Sequence, residues 1–368
     1  MTRASQHPRS GELPSALEVS VVVPVRNEER YLPECLGSLL RQDCGPASYE
    51  VLVVDGMSDD ATPQIVAELA AQHPNLRSVP NPGRIVSAGR NVGIREARGD
   101  VIAFVEGHAF VRPDFVSVIE HHMSDPEITC LGRFVEQYLP GDSPVQQATG
   151  LLRKSRAGRN PHSVRFGGAH DELVDPTSCA TVYRRAVFER FGLFDESLTT
   201  NEDVEFNYRL SRAGVQALHV PELIYSLHPR ASVRGFARQM YRYGYGKALF
   251  VRRHPRALRL AYALPSLTLL LGVAGAFSPS LRFCLAPICL FVAGAAVSAL
   301  QGRQRPAWRA LRMVLSMTML VSFGGGFLAG LAGPQHMGVV DAPPARLTTD
   351  TLGEQLRAAP APRGPDGR

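Results

Sequence analysis

Lysine is almost absent from this chain of 368 residues: Lys154 and Lys247 are the only two among 40 basic side chains, so arginine carries the positive charge. Against 34 acidic residues the formal net charge is only +6, too small an excess to argue for a nucleic-acid partner. Local clustering matters more, and the arginines gathered between residues 230 and 260 suit a phosphate-rich partner or an anionic membrane surface. Cysteine is sparse and unpatterned: the six at 35, 44, 130, 179, 284 and 289 contain no CxxC pair, which excludes a zinc framework or disulfide scaffold and fits a reducing compartment. The first 18 residues lack the apolar run of a secretory signal and read as a flexible lead-in, which leaves the soluble part in the cytoplasm.

What is present first is a repeated strand, polar loop and helix. Val19 to Val25 is a nearly unbroken β-branched run, expected of a strand buried on both faces of a parallel sheet. The loop Arg26-Asn27-Glu28-Glu29 follows, and then Leu32, Cys35, Leu36, Leu39 and Leu40 keep helical spacing. Glu50 to Val54 repeats the pattern and runs into a polar loop from Asp55 to Pro63. Val101 to Val105 makes a third unit, ending in Glu106-Gly107-His108. Such alternation predicts an α/β domain with a mainly parallel sheet, whose ligands sit beyond the carboxyl ends of the strands. Between 126 and 180 the periodicity weakens around a basic patch of Arg153, Lys154, Arg156 and Arg159, read as the acceptor-facing part or a solvated face. Residues 182 to 191 are expected to form a helix that stops at Gly192.

The last third is different. Residues 260–277, 283–300 and 313–333 carry no charge and approach the length of a membrane span, although Pro265 and Pro287 leave room for a hairpin that does not fully cross. Arg252, Arg253, Arg256 and Arg259 precede the first run, and Arg303, Arg305, Arg309 and Arg312 lie between the second and third. Only Arg282 separates the first two, an asymmetry that places the α/β domain inside. The expected organisation is a lead-in (1–18), the α/β domain (19–230), an amphipathic interfacial region (231–259), three membrane helices (260–333) and a disordered tail (334–368).

Asn201-Glu202-Asp203 sits where a polar loop meets a helical pattern. Thr200 and Asp203 have capping-box spacing, and acids suit the first turn of a helix without doing chemistry. Taken with VSVVVPVRNEERYLPECLGSLLRQ, VLVVDGMSDDAT, GRNVGIREARGDVIAFVEGH and YRRAVFERFGLFDE, however, NED and the RLSRAG beyond it resemble the family-2 nucleotide-sugar glycosyltransferases of GT-A fold. The likeness covers about residues 19 to 220. NEDVEFNYRL and RQMYRYGYGKALFVRRHP narrow it to membrane-bound exopolysaccharide glycosyltransferases of the succinoglycan type.

The resemblance implies that Pro24, Arg26, Asn27, Glu28 and Asp55 hold the nucleoside, that Arg90 lies near the nucleotide, and that Asp203 is the catalytic base with Glu202 beside it. Glu106-Gly107-His108 stands where the family has Asp-x-Asp, so Glu106 and His108 are the expected metal ligands. The imidazole favours Mn²⁺ over Mg²⁺. Gln239, Arg242 and Tyr243 resemble the family's Gln-x-x-Arg-Trp motif with Tyr for Trp, implying acceptor or diphosphate contacts; an interfacial helix facing lipid headgroups is the plainer reading of the same stretch. The implied activity is inverting transfer of a hexose from a nucleotide diphosphate sugar, a UDP-sugar being favoured, to a lipid-linked saccharide. The implied setting is the cytoplasmic face of a bacterial inner membrane, in a multi-pass protein making surface polysaccharide. A polyprenyl-phosphate sugar synthase and a catalytically inactive nucleotide-sugar-binding scaffold are the alternatives.

Overall fold

The structure, a computed structural model, describes residues 18–45, 47–137, 143–154, 170–300 and 306–334. The lead-in, Arg156, Arg159, Arg303, Arg305 and the tail expected from 334 onward therefore lie outside the described residues, apart from Glu18 and Pro334.

The valine-rich run forms β1 (Val19–Val25). Val19, Val21, Val23 and Val25 pack into the core on one face of the sheet, and Val22 packs into the core on the other. Burial on both faces is why the run is continuous rather than alternating. Around β1 lie α1 (Leu32–Leu39), β2 (Tyr49–Asp55), α2 (Thr62–Ala70), β3 (Leu76–Pro80), α3 (Val86–Glu96) and β4 (Val101–Phe104). Strands β3, β2, β1 and β4 are mutually parallel in that order.

Beyond β4 the sheet becomes mixed. It continues through β5 (Ala109–Val111), α4 (Phe115–Met123), β6 (Cys130–Gln137), α5 (Pro144–Lys154), β7 (Glu172–Val174), β8 (Ala180–Arg184), α6 (Arg185–Phe191), α7 (Glu202–Arg212) and β9 (Ala217–Leu227). The strand order is β3-β2-β1-β4-β8-β6-β9-β5, with β7 also on β9. β8 runs antiparallel to β4 and to β6, whereas β6 and β9 are parallel. The helix expected over 182–191 is thus half strand. Val182 and Tyr183 pair with Ala103 and Ile102 of β4, and only the segment from Arg185 turns into helix. Sheet pairing outweighs helical spacing where the side chains are β-branched or aromatic and fully buried.

α8 (Val233–Arg253) starts at Ser232, whose hydroxyl accepts from Gly235 N at 3.0 Å. It is followed by α9 (Leu260–Phe277), α10 (Ala286–Leu300) and α11 (Pro306–Ala332). Three stretches are long and apolar enough to cross a membrane: Leu260–Phe277, Pro279–Val297 and Trp308–Ala332. Pro287 falls in the first turn of α10, where its missing N–H is tolerated, while Pro265 lies inside α9.

α11 lies along α8. Phe236 and Met240 meet Leu315 near one end, and further along the two backbones touch through glycines. Gly244 lies against Phe323 and Phe327, Gly326 against Tyr241, and Gly330 against Tyr245. Only glycine permits this approach, because a Cβ at any of the three would lie within 2.6 Å of the facing carbonyl oxygen. On the far side, Leu260, Phe277, Phe283 and Leu290 remain more than 70% exposed, an apolar surface of the kind a bilayer covers.

Candidate active site

Two loops at the carboxyl ends of β1 and β2 interlock into a cradle. Asn27 adopts φ 55° and Met57 φ 59°, left-handed conformations that cost non-glycine residues energy and hold only where the surroundings fix them. The fixing bonds cross between the loops. Asn27 N donates to Ser58 Oγ at 2.9 Å, Asp59 N to Asn27 Oδ1 at 3.0 Å, and Glu28 N to Thr62 Oγ1 at 2.9 Å. Asp55 accepts the Ser58 hydroxyl at 2.5 Å. Pro24 pairs in register with Val54 inside the sheet, and the Arg26 side chain lies over Gly56. From this cradle Glu28 reaches across to His108, Oε1 to Nδ1 at 3.1 Å.

A cluster of charges lies next to it. Both oxygens of Glu106 accept from the Arg133 guanidinium at 2.7 Å, and Arg133 is also stacked over the Tyr225 ring at 4.5 Å. Burial works against the carboxylate, yet Arg133, with Arg90 behind it, holds Glu106 well below the usual carboxylate range. Arg90 is sandwiched between Phe104 and Phe194, 5.3 and 5.2 Å from the ring centres, and its Nη1 approaches Glu202 at 3.4 Å. Burial, reinforced by the like charge of Asp203 and opposed by Arg90, pushes the Glu202 carboxyl up to about 7. Asp203 acts electrostatically on both Arg90 and Arg133. A continuous chain of contacts and charge interactions therefore joins Asp55, Ser58, Asn27, Glu28, His108, Glu106, Arg133 and Asp203.

Helix α3 positions the acids. Ser87, Arg90 and Asn91 lie at i, i+3 and i+4 on one face. Ser87 Oγ donates to Leu198 O at 2.9 Å, and Asn91 exchanges hydrogen bonds with both backbone groups of Phe194 at 2.9 Å. The loop leading to Glu202 is thereby clamped before α7 begins. The capping box of Thr200 and Asp203 is not formed. Asn201 is the N-cap, at φ 63° and without a side-chain capping bond, and Asp203 Oδ1 instead accepts from Val204 N at 2.8 Å. The left-handed turn at Asn201 rotates Thr200 out of capping position.

α8 covers the same turn. Gly246 lies against Thr200 and Asn201, and Asn201 Nδ2 reaches Tyr243 O at 3.5 Å. Gln239 Nε2 donates to the Tyr243 hydroxyl at 3.3 Å, and Arg242 lies within electrostatic reach of Glu202. Gln239, Arg242 and Tyr243 thus lie on α8, which meets the acidic turn through Arg242 and the Tyr243 carbonyl.

A divalent metal can be tested against the residues present. Glu106 does not fit as a ligand, since Arg133 takes both its oxygens. His108 does fit: Glu28 engages Nδ1 at 3.1 Å, which leaves Nε2 as the ring nitrogen for a metal, the carboxylate–histidine arrangement that supports metal ligands. Arg133, Ser87 and Asn91 were not singled out in the sequence. The i, i+3, i+4 spacing in SAGRN carries a signal for the last two, whereas Arg133 lies 27 residues from its partner in a weakly patterned strand. His122, Asp171 and Glu222 also come within 4.8 Å of one another, on the surface and away in sequence from this cluster.

A half-parallel sheet with interlocked loops at its strand ends and an acid-bearing helix beside them is the arrangement of a GT-A fold. Residues 20–192 match the family described as Glycosyl transferase family 2, and the chain carries a domain of that family. It is 27% identical over 324 residues to "Succinoglycan biosynthesis protein ExoA" of Rhizobium meliloti, spanning 86% of this chain and 96% of that protein. It is 28% identical over 243 residues to a "Dolichyl N-acetyl-alpha-D-glucosaminyl phosphate 3-beta-D-2,3-diacetamido-2,3-dideoxy-beta-D-glucuronosyltransferase" of Methanococcus voltae, spanning 64% and 74% of the two chains. Among solved structures, the mannosyltransferase PcManGT of Pyrobaculum calidifontis, in complex with GDP-Man and Mn²⁺, aligns with a TM-score of 0.57 at 20% identity, covering 86% of this chain and 88% of that one.

Proposed function

We propose that this protein is an inverting glycosyltransferase that moves a hexose from a nucleotide diphosphate sugar, a UDP-sugar being the favoured donor, to a lipid-linked saccharide at the cytoplasmic face of a membrane. The observation that carries the reading is Asp203: a half-buried carboxylate in the first turn of α7, in the field of Arg90 and Arg133, at the strand ends beside the Asn27–Asp55 cradle and under α8.

The roles follow from the chemistry. The cradle holds the nucleoside, with Pro24, Arg26, Asn27, Glu28 and Asp55 shaping it. Asp203 takes the proton of the acceptor hydroxyl as that oxygen attacks the anomeric carbon from the side opposite the departing diphosphate. A single carboxylate suffices for inversion. Arg133 and Arg90, fixed by Glu106 and Glu202, set a positive potential for the charge that develops on the leaving group. His108, oriented by Glu28, would hold a divalent ion, Mn²⁺ being favoured by the imidazole; the chemistry such an ion supplies is neutralisation of the leaving diphosphate. Gln239, Arg242 and Tyr243 line the acceptor side, next to the apolar helices that motivate a lipid-linked acceptor.

Replacing Asp203 by Asn tests this. Transfer is expected to fall about 10²- to 10⁴-fold, the usual contribution of a general base, while stabilisation by the donor in a thermal-shift assay persists. Undiminished transfer by D203N would remove Asp203 from the chemistry. Donor binding without turnover in the wild-type chain, across saccharide acceptors, would favour the scaffold alternative.

A further inference from the structure

Between Glu222 and Asp341 the sequence contains no acidic residue, so every charge from α8 to the end of α11 is positive. Where α8 ends and α9 has not begun, part of that charge folds back onto α7. Tyr208, Arg209, Arg212, Arg253, His254 and Arg256 line a cleft of about 520 Å³.

One wall is rigid. Glu205, buried on α7, accepts from Arg209 Nε at 3.1 Å and pairs with His254 Nε2 at 3.0 Å. Arg209 also bonds the carbonyls of Phe191 and Leu193. The Tyr208 ring sits edge-on to Phe250 and 5.1 Å from His254. Arg253 is held on Asp195 at 3.0 Å. Glu205 and Asp195, the acids paired with the lining cations, are therefore already neutralised, and Arg212 and Arg256 make no ion pair among the described residues. Two exposed guanidiniums thus face a preformed polar wall. Beside them Leu258 and Leu260 are 54% and 72% exposed, and α9 starts at Leu260, so the cleft opens at the base of the apolar helices.

Planar guanidiniums on a fixed wall are suited to phosphate oxygens, and the exposed leucines are suited to the apolar layer immediately beneath a headgroup. We propose that this cleft binds the phosphate of an anionic lipid headgroup, which docks the α7–α8 corner of the domain on the membrane surface. The site is separate from the Asp203 cluster and does not depend on the transfer chemistry assigned above.

The test uses the full chain purified in detergent, with thermal unfolding followed as dioctanoyl phosphatidylglycerol, dioctanoyl phosphatidylcholine or inorganic phosphate is added. Phosphatidylglycerol is expected to stabilise the protein at concentrations where phosphatidylcholine does not. In the R212Q/R256Q variant the concentration needed should rise roughly thirtyfold, the effect of two interfacial arginines. If inorganic phosphate alone gives the full stabilisation, and the variant loses it, the anion site stands and its occupant is free phosphate. Equal responses to the two lipids, or a variant that responds like the wild type, would overturn the proposal. UDP-sugar stabilisation measured on the same samples should be unchanged by R212Q/R256Q, which keeps a failure here distinct from a failure of the transfer assignment.

Discussion

Gly246 is the point where α8 presses on the acidic turn. A methyl added there would overlap Thr200 Cγ2, stand 2.5 Å from Asn201 Nδ2 and 3.0 Å from Thr200 O. Two effects of G246A oppose each other. Alanine gains about 1 kcal/mol over glycine in a helix interior, and overpacking costs about 1–3 kcal/mol. The Thr200 contact includes backbone, which cannot rotate aside, so the overpacking term wins and a net loss of roughly 0–2 kcal/mol is expected. The effect on activity should be larger. Relief of the overlap displaces Asn201, whose left-handed conformation sets the direction of α7, and Asp203 is two residues further on. A shift near 1 Å at a reacting group costs on the order of 10²-fold in rate. The assay is turnover of a nucleotide sugar onto acceptor, beside a thermal-unfolding midpoint and the donor-induced shift. Donor stabilisation should survive, because the added methyl meets Thr200 and Asn201 and none of the cradle residues. Gly325→Ala in α11, where an added Cβ meets nothing within 4 Å, is the control and should keep wild-type turnover. A G246A protein with undiminished turnover would show that α8 does not hold Asp203 in place.

Breaking the Arg133–Glu106 pair should destabilise the fold. In R133Q the expected loss is about 2–3 kcal/mol, on the low side for a buried pair because Glu106 keeps 29% side-chain exposure; the double variant R133Q/E106Q should recover part of it, and a destabilisation no smaller in the double variant would refute the pairing. Because Glu106 is depressed in the folded state, its stabilisation is present above the ordinary carboxylate value and is lost only as pH falls through its lower folded value. The deficit of R133Q should therefore hold from pH 5 to 8 and shrink only in strong acid. Glu202 has the opposite sign. Its folded value is raised, so the folded state keeps a proton that the unfolded chain releases, and stability declines as pH rises from about 4.5 to about 7. Unfolding midpoints of E202Q should lack that decline; parallel pH profiles for E202Q and wild type would contradict it.

The sequence determined the elements whose side chains repeat with a period. Val19–Val25 reads as a doubly buried strand because every one of its positions but Ser20 and Pro24 is valine, and both sheet faces are in fact lined by cores. The apolar stretches of the last third were equally legible, because length and absence of charge are local properties. So was the acidic turn at 201–203. Tertiary structure decided what these features do. Only the folded sheet puts Arg133 on Glu106 and reverses β8 against β4, and only the left-handed turn at Asn201 withdraws Thr200 from the helix cap. Only packing lays α11 along α8 through Gly244, Gly326 and Gly330, tying a stretch apolar enough for a membrane to the helix that covers Asp203. Partners 27 to 85 residues apart leave no periodic trace in a chain. They are chosen by which buried charge must be neutralised and by which backbones can approach closely, and both are settled only when the strands and helices have come together.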